Sequence, residues 1–271
     1  MIVTGASSGI GEATAVHLRS LGFEAVPCVR REEDAERLRE DGFSPLILDV
    51  TDSGSIEKAR DSLAADRVSG LVNNAGIGIG GPLEFFPIEE LRRVIEVNFI
   101  GQVAVTQVFL PALRAARGRI VNVSSIGGRV ALPLAGPYAS SKFALEAASD
   151  SLRRELGRHG VDVIVVEPGG VKTPIWEKGR EKADEIQAGM PPEAEELYGD
   201  LVQAIRAETE KIANETGMPP SAIAEVIGEA LTASKPRTRY MVGRDAKVRA
   251  RLAAILPDRV FDRLIARALG A

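Results

Sequence analysis

Ile2-Val3-Thr4-Gly5-Ala6-Ser7-Ser8-Gly9-Ile10-Gly11 joins a short apolar run to an amphipathic helical pattern that continues to about Leu21. A glycine-rich turn at such a junction lets the backbone approach a pyrophosphate, and the first amides of the helix supply hydrogen-bond donors. The spacing is Gly-x-x-x-Gly-x-Gly, which differs from the general Gly-x-Gly-x-x-Gly fingerprint. The stretch predicts a strand, a helix and, between them, a cofactor-binding turn formed by Gly5, Ser7, Ser8, Gly9, Ile10 and Gly11.

The rest of the chain alternates strand-like apolar runs with helical patterns, which is typical of βαβ units and a parallel sheet. We therefore expect an α/β fold of the Rossmann type, a doubly wound parallel sheet in a single domain of residues 1–271. The predicted strands are residues 2–3, 24–29, 45–48, 70–72, 119–123, 162–166 and 239–242. The predicted helices are residues 9–21, 32–41, 53–65, 88–115 and 137–159.

Two segments depart from this alternation. Residues 174–218 are acid-rich with apolar residues at helical spacing, and they predict a helical lid over a substrate site. Residues 244–271 carry seven Lys or Arg against three Asp, and their apolar helical stripe is interrupted by Pro257. This tail indicates either a basic amphipathic helix packed on the domain, which we favour, or a peripheral contact with a membrane.

Composition excludes several classes of function. The chain has 271 residues, 45% of them apolar, and a net charge of −4, so no basic excess suggests a nucleic-acid partner. The single cysteine, Cys28, cannot form an internal disulfide and favours a cytoplasmic location. Two histidines and one cysteine give no cluster of metal ligands. We expect no signal peptide and no apolar run of transmembrane length.

The end of the second strand predicts which dinucleotide binds. NAD sites place an acidic residue there for the ribose 2′-hydroxyl, whereas NADP sites offer an arginine to the 2′-phosphate. Here Val29 occupies the acidic position, and Arg30 and Arg31 follow it. The two arginines form either an exposed basic turn or a phosphate site. We favour the phosphate site and therefore NADP over NAD.

Two further strand ends predict cofactor contacts. Asp49 and Val50 follow the third strand, where adenine would lie, and Asn73-Asn74-Ala75-Gly76 follows the fourth. The second turn offers small residues and backbone amides, although a tight loop would use the same residues. The residues predicted to contact the cofactor here are Asp49, Val50, Asn74, Ala75 and Gly76.

A tyrosine and a lysine lie one helical turn apart in Tyr138-Ala139-Ser140-Ser141-Lys142. Residues i and i+4 share a helix face, and a nearby ammonium lowers the pKa of a phenol. We expect Lys142 to lower the pKa of Tyr138 and make it a general acid or base near neutral pH. Taken alone, the pair could equally be two surface side chains, so the interpretation depends on the surrounding motifs.

Six motifs together resemble the short-chain dehydrogenase/reductase family over about residues 1–175. They are Thr4-Gly5-(x3)-Gly9-Ile10-Gly11, Asn73-Asn74-Ala75-Gly76, Asn98, Ser125, Tyr138-(x3)-Lys142 and Pro168-Gly169-(x3)-Thr173. Later segments, including residues 240–246, resemble the branch of hydroxysteroid and retinol dehydrogenases.

The resemblance implies catalytic roles for Asn98, Ser125, Tyr138 and Lys142. In the family, the tyrosine exchanges the proton of the alcohol–carbonyl pair and the serine polarises the carbonyl. The lysine binds the nicotinamide ribose, and the asparagine holds a water that links the lysine to solvent. Ser124 is a rival for the serine role, but the thirteen-residue gap to Tyr138 selects Ser125. The further cofactor contacts implied are Pro168, Gly169, Val171 and Thr173, the last at the nicotinamide carboxamide.

These inferences predict an NADP(H)-dependent oxidoreductase that transfers a hydride between nicotinamide and a hydrophobic secondary alcohol or ketone. Alternatives are a catalytically silent nucleotide-binding sensor or scaffold, and an epimerase or dehydratase of the same fold. The resemblance also implies a homodimer or homotetramer formed through the two long helices. An apolar pocket suited to a lipid, sterol, retinoid or xenobiotic ketone is predicted from Leu132, Pro133, Leu134, Ile175 and Trp176.

Overall fold

The computed structural model describes residues 1–63 and 65–269, and a parallel sheet forms its centre. Residue 64 of the predicted helix 53–65 and the last two residues of the predicted tail lie outside the described residues. The strands of the sheet are β1 (Ile2–Thr4), β2 (Val26–Val29), β3 (Leu46–Ile47), β4 (Gly70–Asn73), β5 (Arg119–Val123), β6 (Asp162–Pro168) and β7 (Arg239–Val242). Their order is β3-β2-β1-β4-β5-β6-β7, and neighbouring strands are parallel.

Helices flank the sheet on both faces. The helices are α1 (Gly9–Ser20), α2 (Glu32–Glu40), α3 (Ser53–Ser62), α4 (Ile88–Ile95), α5 (Gly101–Ala116), α6 (Gly136–Leu156), α7 (Ile175–Ala188), α8 (Pro192–Lys211), α9 (Pro220–Thr232), α10 (Arg244–Ile255) and α11 (Asp258–Ala268). Short π-helical turns at Glu96–Ile100 and Ile212–Thr216 extend α4 and α8.

Successive side chains of a strand point to opposite faces of the sheet. Helices pack on both faces, so both sets of side chains are buried. In β1, Val3 belongs to the apolar cluster that contains α1 and α9, whereas Ile2 belongs to the cluster that contains α5. Burial on both faces explains why the strands are continuous apolar runs rather than alternating ones. The predicted doubly wound α/β fold of the Rossmann type is confirmed.

Residues 88–116 form one long helical segment, in which the π-helical turn joins α4 to α5. By length and composition this segment could cross a membrane, so the expectation that no apolar run reaches that length is wrong. Val105, Phe109 and Leu113 of α5 are fully buried in the domain core, which accounts for the apolar composition of the segment.

The C-terminal part of the chain differs from the sequence prediction in two ways. Helix α9, which the prediction omits, buries Ile223 and Ile227 against α1 and the sheet. In the tail, α10 buries Ala246 near its start, although its last residue, Ile255, is 75% exposed, and α11 has no buried residue. The expectation that the tail packs on the domain therefore holds for α10 and not for α11.

Candidate active site

The carboxyl ends of the strands open into a cavity of about 1010 Å³. It lies where the strand order reverses between β1 and β4, which is the usual ligand position in open parallel sheets. The glycine-rich turn and the ends of β2, β4, β5 and β6 form its walls, and residues of α7 and α8 line it as well.

The glycine-rich turn leaves no room for side chains. Gly5 and Gly9 have φ angles of +63° and +60°, which residues other than glycine rarely adopt. A Cβ on Gly5 would lie 2.7 Å from Ala75 Cα, and one on Gly11 would lie 2.6 Å from Asn74 Nδ2 and would also meet the Gly5 carbonyl. The turn is therefore a bare backbone cradle at the start of α1, which fits a pyrophosphate.

Asn74, in the turn after β4, forms hydrogen bonds with the backbone of the glycine-rich turn. Its Nδ2 donates to the carbonyls of Thr4 and Gly5 at 3.0 and 3.1 Å. The Thr4 hydroxyl accepts from the amides of Asn74 and Ala75 at 3.0 and 3.1 Å. Asn74, Ala75 and Gly76 also line the cavity, so this turn is both a tight loop and a cavity wall.

Arg37 of α2 supports the glycine-rich turn, and sequence reasoning missed it. Its Nη2 donates to the Ser7 carbonyl at 2.7 Å, and its Nη1 pairs with Glu12 at 2.5 Å. Thirty positions separate Arg37 from Ser7, and no motif connects them, so only the packing of α2 beside α1 brings them together.

The two arginines after β2 have different environments. Arg30 is exposed and lines the cavity, and the described residues give its guanidinium no ion-pair partner. Arg31 does not line the cavity, because it forms a two-point ion pair with Asp34, with N–O distances of 2.9 and 3.2 Å. Of the two predicted phosphate contacts, the geometry therefore favours Arg30 alone.

Asp49 and Val50 line the cavity, as Arg30 does, and their contact with the adenine stays a prediction. One carboxylate oxygen of Asp49 is already engaged, since it accepts from the backbone amide and the hydroxyl of Thr51 at 2.9 and 2.8 Å. These bonds fix the orientation of the carboxylate at the cavity wall.

Ser125 and Tyr138 converge at Gly127. A Cβ on Gly127 would lie 3.2 Å from Tyr138 Cε1 and 3.4 Å from Ser125 Oγ. The Ser125 hydroxyl accepts from the Gly127 amide at 3.0 Å, so it caps the turn after β5. Both side chains line the cavity, where a carbonyl oxygen could contact both hydroxyls.

Lys142 is only 4% exposed, and its ammonium donates to the Val123 carbonyl at 2.9 Å. Its Nζ lies 5.8 Å from the centre of the Tyr138 ring. Burial lowers the pKa of Lys142 to about 8, and the nearby Glu146 carboxylate opposes that decrease.

Burial raises the pKa of Tyr138, and the neighbouring Ser125 hydroxyl opposes the increase only in part. The expected decrease in the pKa of Tyr138 is therefore wrong for this structure, in which the net shift is upward. The reason is that loss of water around the phenol dominates, while the ammonium is bonded to the Val123 carbonyl. Tyr138 is accordingly a neutral phenol at neutral pH, with a proton to donate.

Asn98 lies in the π-helical turn and is fully buried. Its side chain exchanges two hydrogen bonds of 2.8 Å with the backbone of Ile77 and donates a third to Ser141 at 3.0 Å. It does not line the cavity, although a Cβ on Gly76 would lie 3.2 Å from Asn98 Oδ1 and 3.8 Å from Lys142 Nζ. The side chain thus holds the loop after β4, and the water relay stays a prediction.

The segment after β6 closes the cofactor side of the cavity. The methyl group of Thr173 would lie 3.2 Å from a Cβ on Gly9, so this residue faces the glycine-rich turn.

Among the predicted site residues, Gly11, Arg31 and Asn98 do not line the cavity. The other predicted cofactor contacts in the segment after β6 do line the cavity; they are Pro168, Gly169 and Val171.

The part of the cavity beside Tyr138 is largely apolar. The Trp176 ring is fixed by a 2.7 Å hydrogen bond from its Nε1 to the Val171 carbonyl. Charged residues of α7 and α8 at its edge form ion pairs with other protein groups, such as Arg180 with Glu210 at 3.1 Å. The apolar lining residues are Leu132, Pro133, Leu134, Ile175, Trp176, Met190, Val202 and Ile205.

Comparisons with known proteins agree with this geometry. Residues 1–184 match the family model of short chain dehydrogenases. The NADPH-dependent 3-dehydrocapnine reductase of Ornithobacterium rhinotracheale is 36% identical over 97% of this chain and 94% of its own length. Retinol dehydrogenase 5 of Mus musculus is 37% identical over 98% of this chain and 87% of its own length.

Solved structures include relatives with either dinucleotide. A short chain dehydrogenase from Burkholderia cenocepacia in complex with NADP is 27% identical and has a TM-score of 0.75, covering 99% of this chain and 96% of that one. A short chain dehydrogenase/reductase from Burkholderia phymatum in complex with NAD is 25% identical and has a TM-score of 0.79. The match covers 93% of this chain and 91% of that one. The chain is an oxidoreductase that belongs to the short-chain dehydrogenase/reductase family.

Proposed function

We propose that this protein reduces a hydrophobic ketone to a secondary alcohol with NADPH, and that Tyr138 donates the proton. The observation that carries the proposal is a Tyr138 phenol beside the Ser125 hydroxyl on the wall of an apolar cavity. The phenol, whose pKa burial raises above its ordinary value, is protonated at neutral pH and carries the proton that the reduction requires.

In this mechanism the protein orients and polarises the ketone. The hydroxyls of Ser125 and Tyr138 donate to the carbonyl oxygen, so that its developing negative charge is stabilised. Bound NADPH supplies the hydride. Tyr138 transfers its proton to the oxygen, which completes the alcohol, and the Lys142 ammonium stabilises the phenolate that remains.

Three observations support NADPH as the cofactor. The bare glycine cradle fits a pyrophosphate, and Arg30 offers an unengaged guanidinium at the cavity wall. The reductase of Ornithobacterium rhinotracheale is named as NADPH-dependent, and one solved relative holds NADP. A 2′-phosphate beside Arg30 would gain a charge-assisted hydrogen bond that NAD cannot form.

The apolar chamber beneath α7 and α8 supports a hydrophobic substrate, since these helices supply aliphatic and aromatic side chains to the walls. The relatives are named for 3-dehydrocapnine and for retinol. We propose that α7 and α8 form the lid of this chamber and that long-chain or polycyclic ketones are the substrate class.

The test is NADPH consumption on a panel of ketones that runs from long-chain and polycyclic to small and polar. We expect turnover on the hydrophobic members, and activity confined to sugars or small polar acids would contradict the proposal. Ile205→Asp places a carboxylate in the chamber and should raise KM for hydrophobic ketones roughly 10-fold. Leu197→Asp is the matched control, because Leu197 lies on the same helix but is 58% exposed and outside the chamber.

A further inference from the structure

Two acidic residues extend the stripe of Tyr138 and Lys142 along α6. Glu146 and Asp150 follow Lys142 at intervals of four residues, so each side chain lies one turn from the next along the helix. Glu146 is only 6% exposed, and the mechanism above gives it no role. A buried carboxylate is costly unless other groups compensate its charge, so its surroundings indicate what it does.

Arg239 of β7 holds the Glu146 carboxylate. Its Nη2 donates to Glu146 Oε2 at 3.0 Å, while its Nη1 donates to Asp150 at 2.8 Å. On the far side of the guanidinium, Glu167 of β6 lies 3.2 Å from Arg239 Nε and accepts from Arg129 Nε at 2.9 Å. This network fixes Glu146 in place through one of its two oxygens.

The second oxygen of Glu146 is uncommitted. Oε1 is buried and has no hydrogen-bond donor among the described residues. The segment after β5 closes this side of the carboxyl, since a Cβ on Gly128 would lie 2.8 Å from Ser124 Oγ and 3.0 Å from Glu146 Cγ. Burial raises the pKa of Glu146, and the Arg239 guanidinium opposes that increase.

Lys142 lacks a direct carboxylate partner. Within the described residues no acidic oxygen lies within ion-pair distance of its Nζ, and the Val123 carbonyl is its hydrogen-bond acceptor. Burial disfavours the ammonium, and the carboxylate that opposes this effect is Glu146, one turn further along α6. Glu146 and Lys142 are thus two buried groups of opposite charge one turn apart on α6, and of the two only Lys142 lines the cavity.

We infer that Glu146 is a positioning residue whose carboxylate, held by Arg239, keeps the buried Lys142 ammonium charged so that Tyr138 can exchange its proton. This inference rests on the proposed function of Tyr138 and Lys142. It concerns a residue that no motif identified, although the i+4 spacing from Lys142 was present in the sequence.

The first test compares pH profiles of kcat for the parent and Glu146→Gln, which removes the charge and keeps the shape. Lys142 loses its proton as the pH rises through its pKa, and loss of the carboxylate lowers that pKa. The alkaline decline of kcat should therefore begin about 1 pH unit lower in Glu146→Gln, with parental kcat at acidic pH and unchanged KM values. If kcat declined at the same alkaline pH in the parent and in Glu146→Gln, the inference would be overturned.

Asp150→Asn is the matched control, because it removes another carboxylate that binds Arg239 but lies two turns from Lys142. Its profile should coincide with that of the parent, and Glu146→Asp should restore most of the parental profile. An equal shift in Asp150→Asn would mean that the network is only structural. If Glu146→Gln unfolds, Glu146→Leu removes the charge without leaving a polar group to bury.

A second readout needs neither cofactor nor turnover. In free protein labelled with ¹³C at lysine Cε, the NMR titration of Lys142 should give a pKa about 1 unit lower in Glu146→Gln than in the parent. An unchanged titration would contradict the inference. A shifted titration in a protein that reduces no ketone would leave the inference standing and refute the proposed function instead.

Discussion

Replacement of Arg30 by alanine tests the cofactor assignment most sharply. Arg30 lines the cavity, and the described residues give it no ion-pair partner, so its guanidinium is available to a 2′-phosphate. A hydrogen bond to a charged group contributes about 1.5–3 kcal/mol, and solvent exposure of Arg30 favours the lower limit. That limit corresponds to a roughly 10-fold weaker affinity for NADPH, whereas NADH, which lacks the phosphate, should bind as before.

The assay is equilibrium binding of both nucleotides to the parent, Arg30→Ala and Arg31→Ala. Arg31 is the matched control, because its ion pair with Asp34 holds it away from the cavity. We expect Arg31→Ala to bind both nucleotides like the parent, and added salt to reduce the NADPH preference of the parent and of Arg31→Ala but not of Arg30→Ala. Equal affinities of the parent for the two nucleotides, or an equal loss of both in Arg30→Ala, would refute the reasoning.

Three further predictions concern the turn, its support and the assembly. Gly11→Ala forces a methyl group against the Gly5 carbonyl, so unfolding experiments should show a loss of about 1–3 kcal/mol, whereas Gly157→Ala, with open space around it, should be nearly neutral. Arg37→Met frees the Ser7 carbonyl and should weaken NADPH and NADH alike in the binding assay above, unlike Arg30→Ala. Sedimentation should give a dimer or tetramer, as expected for assembly through the helical segment 88–116 and α6, and a monomer would contradict this family expectation.

Local chemistry made the strand ends and the glycine-rich turn predictable. Gly5, Gly9 and Gly11 are required where the backbone must turn or approach closely, and such requirements are visible in a short stretch of sequence. Strands buried on both faces are likewise visible as continuous apolar runs. Helix α9 was also predictable, because its buried residues Ile223 and Ile227 lie one helical turn apart. The sequence prediction omitted this helix.

Contacts between distant segments were not predictable in this way. Arg37 reaches Ser7, and Arg239 reaches Glu146, only after the helices have packed on the sheet. The direction of the Tyr138 pKa was also inaccessible, because spacing along a helix reveals neither the burial of the phenol nor the bond between Lys142 and the Val123 carbonyl.

The most direct test of the proposed chemistry is ketone reduction by Tyr138→Phe with NADPH binding measured in parallel. The variant keeps the ring and loses only the hydroxyl, so we expect parental affinity for NADPH. Turnover of a hydrophobic ketone should fall by roughly 10²–10⁴-fold, the usual contribution of a general acid. Turnover close to that of the parent would show that Tyr138 does not donate the proton and would contradict the proposed mechanism.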